Sequence, residues 1–159
     1  MMNSASFEKA IPYILANEGG YVDDPNDLGG ATNYGISLRF LKSINLDINN
    51  DGVIYKEDIK ELTPEQASNI YLKYFWTPNR YGELKEQRVA TKIFDFCVHK
   101  GAGGANKSLQ QATNMALKKD LLKIDGICGS FTINAVNSIS DTDLLEDLLC
   151  HCITDKYIN

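Results

Sequence analysis

Residues 18–36 read Glu18-Gly19-Gly20-Tyr21-Val22-Asp23-Asp24-Pro25-Asn26-Asp27-Leu28-Gly29-Gly30-Ala31-Thr32-Asn33-Tyr34-Gly35-Ile36. Glu18 follows an apolar stretch with helical spacing, and Asp27 stands nine positions later. Paired glycines predict a tightly folded loop, because glycine allows positive φ and close backbone approach. A glycosidase needs two carboxyl groups such as those of Glu18 and Asp27: one donates a proton, and the other lies on the opposite side of the scissile bond. The stretch is a candidate active site, although Asp- and Gly-rich segments are more often ordinary turns.

Three motifs of this stretch together resemble the signature of glycoside hydrolase family 108, namely Glu18–Tyr21, Asp24–Thr32 and Tyr34–Ser37. These lysozyme-like N-acetylmuramidases include phage endolysins and secretion activator proteins. Ile70–Trp76 and Phe94–Gly101 resemble later motifs of the family. The resemblance implies a mainly α, lysozyme-like helical fold.

The C-terminal part of the chain is similar to a different module of these proteins. Leu109–Ala112 and Ile124–Thr132 resemble the predicted peptidoglycan-binding half that accompanies the catalytic half. The resemblance therefore implies a catalytic lobe over residues 1–93 and a peptidoglycan-binding helical half over residues 94–159, packed as one unit.

Composition limits the functions that this chain can have. It has 159 residues, 43% of them hydrophobic, and a net charge of −5. The negative charge argues against nucleic-acid binding, and no apolar segment is long enough to span a bilayer. The N-terminus shows no secretory signal, so we expect synthesis in the cytoplasm and release to the cell wall by a holin or an export system. Four cysteines in a chain of this length predict reduced thiols, not a disulfide framework.

Apolar periodicity predicts helices along most of the chain. Pro12 predicts a kink in the first helix or a later start, because an interior proline removes a hydrogen bond. Ser37 and Thr63 are predicted helix caps, the latter with Pro64 and Gln66 completing a capping box. A further helix is expected from Glu86 to Val98, and a break at Gly101 to Gly104 separates it from the next one. Two more helices are expected, one over about 130–137 and one capped by Asp141 or Asp143. Gly35 to Ser37 is predicted to form one short strand pairing.

Residues 47–58 fit the twelve-residue EF-hand template for Ca²⁺. Five residues supply the predicted oxygen ligands: Asp47, Asn49, Asp51, Val53 through its carbonyl group, and Asp58. Position 12 is Asp58 where the template has Glu, and its shorter side chain reduces the reach for bidentate contact. We expect a structural Ca²⁺ and no cofactor for the chemistry, with an Asx-rich turn as the alternative.

The resemblance assigns the general acid to Glu18, and an apolar environment can raise a carboxyl pKa as that role requires. Asp27 is the candidate second carboxylate, with Asp23 and Asp24 as rivals, and Thr32 is a candidate for positioning water. Candidate contacts to the bacterial peptidoglycan substrate are polar or aromatic residues of the quoted motifs: Tyr21, Asn33, Tyr34, Trp76, Asp95 and His99, the last replacing the Asn common in the family.

Three functions are compatible with these features. The first is an N-acetylmuramidase that hydrolyses the β-1,4 bond between N-acetylmuramic acid and N-acetylglucosamine. A lytic transglycosylase would use one Glu as acid and then as base, and would release a 1,6-anhydro sugar. A non-catalytic module that binds peptidoglycan or calcium would not need Glu18.

Overall fold

The computed structural model describes residues 4–17 and 19–158, with side chains up to Thr154. The chain forms two compact units: one contains the described residues up to Ile11 and from Leu72 onward, and the other lies within Pro12–Tyr71. The described part contains eight α-helices: α1 (Phe7–Asn17), α2 (Leu38–Ser43), α3 (Lys56–Glu61), α4 (Pro64–Tyr71), α5 (Gln87–Lys100), α6 (Ala102–Leu117), α7 (Ser130–Asn137) and α8 (Thr142–Ile158). The prediction of a mainly α, lysozyme-like fold is confirmed.

The unit within residues 12–71 contains the two strands that the structure describes. Strands β1 (Thr32–Asn33) and β2 (Ile36–Ser37) pair antiparallel, with Thr32 opposite Ser37. Tyr34 and Gly35 connect them with φ values of 52° and 79°, which suit the tight turn of a two-residue hairpin. The core of this unit consists of Ile14, Ile36, Leu41, Ile59, Ile70 and other buried apolar side chains.

The other unit is built around α5, whose apolar face packs against α6 and α8. A π-helix (Leu72–Trp76) and a 3₁₀-helix (Tyr81–Glu83) precede α5 in the chain. The Trp76 ring packs edge-on against Phe94 and Tyr81, with ring centroids 5.3 and 6.0 Å away, and against Phe7 at 5.7 Å. These buried aromatic contacts form the centre of the core.

Local capping signals are confirmed where the sequence contains them. Ser37 accepts a hydrogen bond from the Phe40 N–H, and Thr63 and Gln66 exchange the two hydrogen bonds of a capping box. Asp141 accepts the Leu144 N–H at 3.0 Å, which selects it over Asp143 as the cap of α8. Each of these bonds spans three residues, so its formation depends little on the rest of the fold.

Two predicted helix limits are wrong. Of the two alternatives for Pro12, the late start is wrong, because α1 begins at Phe7 and contains Pro12, while a kink at Pro12 stays a prediction. Ile11 and Ile14 on either side of Pro12 are buried, and their packing offsets the missing N–H. The break after α5 is confined to Gly101, because Gly103 and Gly104 lie in α6. The predicted domain boundary at residues 93 and 94 falls inside α5, and that division stays a prediction.

None of the described helices is long and apolar enough to cross a membrane.

Candidate active site

Glu18, the predicted general acid, lies outside the described residues. Its two neighbours along the chain are described: α1 ends at Asn17, and the carbonyl group of Gly19 accepts a hydrogen bond of 3.1 Å from the Tyr34 N–H.

Backbone hydrogen bonds close the loop that follows. The N–H and C=O groups of Val22 and Thr32 exchange two bonds of 2.8 Å, so the chain returns antiparallel to itself within ten residues. Between them, Asp27 N–H donates to the Asp24 carbonyl and Gly30 N–H donates to the Asp27 carbonyl, both at 3.0 Å. The structure therefore brings Thr32 next to the segment that carries the acidic residues, and it confirms the prediction of a folded loop.

The three candidate carboxylates of this loop differ in their partners. Asp27 Oδ1 accepts the Gly29 N–H at 2.8 Å, and Asp24 Oδ1 accepts the Asn26 N–H at 2.9 Å. Each of these two residues is exposed and forms an Asx turn that holds one carboxylate oxygen, and no described residue donates to its other oxygen, Oδ2. Asp23 instead lies 3.9 Å from the ammonium group of Lys56. The contact with Lys56 makes Asp23 a weaker candidate for the second catalytic carboxylate, while Asp24 and Asp27 each keep one oxygen available.

The far end of the loop is held by residues that sequence reasoning missed. The Arg39 guanidinium group donates to the Leu28 carbonyl, and the Arg39 N–H donates to the Gly29 carbonyl at 3.1 Å. A Cβ atom at Gly29 would lie 3.3 Å from Asp27 Oδ1 and 3.4 Å from Ser37 Cβ. Any larger residue at position 29 would therefore press on the Asp27 turn. In the sequence, the Gly29-Gly30 pair indicated this bend, but Arg39, which holds it, lies in none of the motifs that were recognised.

The hairpin carries three of the predicted site residues. Thr32 is half-buried, Asn33 is buried and donates to the Ile59 carbonyl at 3.0 Å, and the Tyr34 carbonyl accepts the Tyr71 hydroxyl at 2.6 Å. The Asn33 amide therefore anchors the hairpin to α3, which indicates a positioning role. Tyr71 lies in a motif that the sequence analysis quoted, yet it was not proposed as a site residue.

Two predicted aromatic contacts have contrasting environments. Tyr21 is exposed over 38% of its surface, so its ring is available to a ligand. Trp76 is only 5% exposed and lies in the aromatic core described above. This burial favours a packing role for Trp76 over stacking on a sugar.

Asp95 and His99 lie one turn apart near the C-terminal end of α5. The His99 Nδ1 atom is 2.8 Å from the Asp95 carbonyl oxygen and 3.4 Å from Asp95 Oδ1. Asp95 Oδ1 is buried and has no hydrogen-bond partner among the described residues. The structure therefore brings this predicted pair together.

Residues 47–55 fold into a compact loop stabilised by its own side chains, and the first turn of α3 completes the 47–58 segment. Asp47 Oδ2 accepts the Gly52 N–H at 2.7 Å, Asn49 Oδ1 accepts the Asp51 N–H at 3.1 Å, and Asp51 Oδ1 accepts the Val53 N–H at 2.9 Å. The second oxygen of Asp47, Oδ1, is buried, and no described residue donates to it.

Asp58 is 1% exposed, and both of its carboxylate oxygens accept backbone N–H groups. Oδ1 accepts from Ile48 at 2.8 Å and Asn49 at 3.2 Å, and Oδ2 accepts from Tyr55 at 2.9 Å. Burial by itself raises the pKa of Asp58, but the hydrogen bonds from Tyr55, Asn49 and Ile48 outweigh it and lower that pKa. Because Oδ1 already accepts two bonds, only Oδ2 retains a lone pair for a cation.

Among the residues that the structure describes, no three His, Cys, Asp or Glu side chains are grouped to hold a metal ion. A cation in the 47–58 loop would therefore also need the Asn49 amide oxygen and the Val53 carbonyl.

Comparisons with known proteins agree with this architecture. The family model described as Glycosyl hydrolase 108 matches residues 11–101. Among solved structures, SagA of Brucella abortus is similar over 96% of this chain and 80% of its own, with a TM-score of 0.77 and 32% sequence identity. No curated protein matches the chain.

Proposed function

Since the chain belongs to the glycosyl hydrolase 108 family, we propose that it is an N-acetylmuramidase with Glu18 as general acid. The reaction is hydrolysis of the β-1,4 bond between N-acetylmuramic acid and N-acetylglucosamine in bacterial peptidoglycan. The observation that carries the proposal is the closed loop after Gly19, which presents exposed carboxylates on a hydrogen-bonded frame. Preorganised groups stabilise developing charge without having to reorient during the reaction.

In this proposal, Glu18 donates its proton to the glycosidic oxygen. Asp27 stabilises the oxocarbenium-like transition state or orients the attacking water, with Thr32 as a further contact for that water. Asp24 remains the alternative second carboxylate, since its side chain is held by the same type of turn.

Tyr21, Tyr34, Asp95 and His99 remain proposed contacts to the glycan. Asn33 is proposed to act through the hairpin, because its side chain holds the Ile59 carbonyl. Trp76 is retained only through the resemblance, and its burial supports a structural role. A holin or an export system is the proposed means by which the enzyme reaches the wall.

The decisive experiment is digestion of purified sacculi by wild type and Glu18→Gln, with the released muropeptides identified by mass spectrometry. Loss of a positioned acid should lower the rate by about 10²–10⁴-fold. Glu65→Gln, an exposed acid in the first turn of α4, serves as the matched control and should retain wild-type activity.

Near wild-type release by Glu18→Gln would overturn the assignment of the general acid. Products with 1,6-anhydro ends, without new reducing ends, would show a lytic transglycosylase instead. Binding to sacculi with no release by wild type would favour the non-catalytic module.

We also propose that the 47–58 loop binds one structural Ca²⁺. The residues fit a hard cation: Asp47 Oδ1 is a buried oxygen without a donor, and the Asn49, Asp51 and Val53 oxygens lie in the same loop. Asp58 would contribute Oδ2 alone while Oδ1 keeps its two N–H bonds. Such an ion would brace the loop before α3 and would take no part in the reaction.

The test is thermal unfolding after EDTA treatment, with and without added Ca²⁺. A ligand that binds only the folded state raises its stability by mass action, so Ca²⁺ should raise the Tm of wild type. Asp47→Ala with Asp51→Ala should remove the increase, whereas Asp120→Ala with Asp147→Ala, a pair of exposed acids elsewhere, should keep it. A Tm of wild type that does not respond to Ca²⁺ would identify the loop as an Asx-rich turn.

A further inference from the structure

Arg39, in the first turn of α2, ties the loop of residues 22–32 to that helix. The Arg39 guanidinium group donates a hydrogen bond to the Leu28 carbonyl, and the Arg39 N–H donates to the Gly29 carbonyl at 3.1 Å. Loop and helix lie in the same compact unit. One residue of the helix therefore holds two consecutive carbonyl groups of the loop, one through its side chain and one through its backbone.

The peptide group that the Arg39 side chain holds is also the one that holds the Asp27 side chain. Its carbonyl oxygen belongs to Leu28, and its N–H belongs to Gly29 and donates to Asp27 Oδ1 at 2.8 Å. Because a peptide group is planar, fixing the direction of the C=O group also fixes the direction of the N–H group. The Arg39 side chain therefore controls, from the other end of the peptide group, the N–H that orients Asp27.

The charge of Arg39 also makes this N–H a stronger donor. Hydrogen bonds to an ionised group are stronger than neutral ones, and consecutive hydrogen bonds polarise one another. The guanidinium group draws electron density towards the Leu28 oxygen, which leaves the Gly29 N–H more positive and strengthens its bond to the Asp27 carboxylate. We call this arrangement of guanidinium group, peptide group and carboxylate the Arg39 relay.

The Asp24 turn lacks such a relay in the part of the chain that the structure describes. Asp24 Oδ1 accepts the Asn26 N–H at 2.9 Å, so the corresponding carbonyl group is that of Pro25. No side chain within the described ranges donates to the Pro25 carbonyl. The two Asx turns therefore have the same inner hydrogen bond, and only the Asp27 turn has the outer one.

The Arg39 side chain is separate from the contacts that hold α2 in place. The Ser37 hydroxyl group caps α2 by accepting the Phe40 N–H at 3.1 Å, and Leu41 is fully buried. The bond from the Arg39 N–H to the Gly29 carbonyl does not depend on which side chain residue 39 carries. A substitution of Arg39 should therefore keep the helix in place and remove the relay alone.

We propose that Arg39 is a positioning residue for Asp27, and that the relay makes Asp27, and not Asp24, the second carboxylate of the site. A carboxylate with a fixed orientation stabilises the developing positive charge of the sugar without having to reorient during the reaction. A displacement of about 1 Å can reduce a rate about 10²-fold, so a residue that only positions another can control turnover. That Asp27 serves a glycosidase rests on the proposed function, whereas its control by Arg39 rests on the hydrogen bonds.

The first test measures the relay itself, by amide hydrogen exchange of the full chain in NMR. Arg39→Met keeps a long side chain and loses its donors, so the Gly29 N–H should exchange about tenfold faster than in wild type. The Asn26 N–H, in the Asp24 turn, should exchange at an unchanged rate. Lys42→Met removes the same charge from an exposed position of α2 and should change neither rate.

The second test measures turnover on sacculi, with release of reducing ends as the assay. Arg39→Met should lower kcat about tenfold and change KM less than about twofold, because the relay orients a group that acts in the transition state. Arg39→Lys keeps the charge and a single donor group, and it should recover part of the loss. Lys42→Met should retain the wild-type kcat. Circular dichroism and Tm confirm that each variant is folded.

Double-mutant cycles identify the carboxylate through which Arg39 acts. In an Asp27→Asn background the relay has no carboxylate charge to orient, so Arg39→Met should cause no further loss of kcat. In an Asp24→Asn background the full loss should remain. The opposite pattern would assign the relay to Asp24 and overturn the proposal.

The proposal also fails if Arg39→Met leaves the exchange of the Gly29 N–H unchanged, if its loss of kcat persists in the Asp27→Asn background, or if Lys42→Met loses as much. Failure of the enzymatic proposal would look different. In that case wild type would release no reducing ends, or Glu18→Gln would release them normally, while the Gly29 N–H would still respond to Arg39→Met. Conversely, hydrolysis that depends on Glu18 and not on Arg39 would overturn the role of Arg39 alone.

Discussion

At the scale of single residues, local hydrogen bonding separates acidic side chains that the sequence presents as equivalent. Asp23, Asp24 and Asp27 all lie in the same loop, but Asp23 lies beside Lys56 while the other two accept backbone N–H groups. A carboxylate held by one oxygen keeps its orientation and leaves the other oxygen for a substrate or a water molecule. This leaves Asp24 and Asp27 as the pair that experiment must distinguish.

We expect Asp27→Asn to lower kcat by about tenfold or more with little change in KM, because Asn keeps the turn and removes the charge. Asp24→Asn is the matched control, with the same substitution in the same type of turn, and should have the smaller effect. Steady-state release of reducing ends gives both constants. If Asp24→Asn proved the more damaging, the role of second carboxylate would pass to Asp24.

At the scale of elements, the close approach of residues 122–129 to α6 depends on glycine. Gly126 has a φ of 78°, and a Cβ atom there would lie 3.0 Å from the Gly103 carbonyl oxygen. The sequence marks Asp125-Gly126 as a turn, but the contact with Gly103 appears only when the turn packs on the helix. The break after α5 is a second case in which local sequence does not predict the role of a glycine: Gly103 and Gly104 predict a helix break and yet lie in α6.

We expect Gly126→Ala to lower the free energy of unfolding by about 2 kcal/mol, from the left-handed backbone and the short contact together. Gly104→Ala is the contrasting control: it lies inside α6 with open space at its Cβ position, so it should stabilise the protein by about 0.5–1 kcal/mol. Urea denaturation measures both. A Gly126→Ala variant as stable as wild type would mean that the segment can move away from α6.

At the scale of the whole molecule, the four cysteines all lie in the unit that begins again at Leu72, and their burial shows how well the core of that unit is shielded from solvent. Burial raises the pKa of Cys97 to about 11 and that of Cys128 to about 12, and Cys152 is also buried. Cys150 is only partly buried. The Cys97 and Cys128 thiols are therefore neutral near pH 8, and all three buried cysteines are inaccessible until the core opens.

We expect a thiol reagent at pH 8 to label Cys150 first, and the other three only at the rate at which the protein unfolds. Cys150→Ser should remove the fast phase without altering the slow one. A fast phase that survives in Cys150→Ser would show that a buried cysteine is exposed in the native state.

The pKa values of Cys97 and Cys128 in the folded protein exceed the ordinary value of about 8.5. The free energy of unfolding should therefore fall as the pH rises from about 8.5 towards 11–12.

The sequence by itself determined the family, the helical fold and the local caps. Ser37, Thr63 and Gln66 act within three residues of chain, so their roles follow from order alone. Tertiary structure decided which side chains are available. It placed Lys56 beside Asp23 across 33 positions of sequence and put Trp76 in the aromatic core. It also gave Gln110 hydrogen-bond partners in the loop before α7 and in the first turn of α7, up to 22 residues further along. The reason is physical: whether a polar group binds a ligand or the protein itself depends on the partners that folding brings to it, and those partners lie far away in sequence.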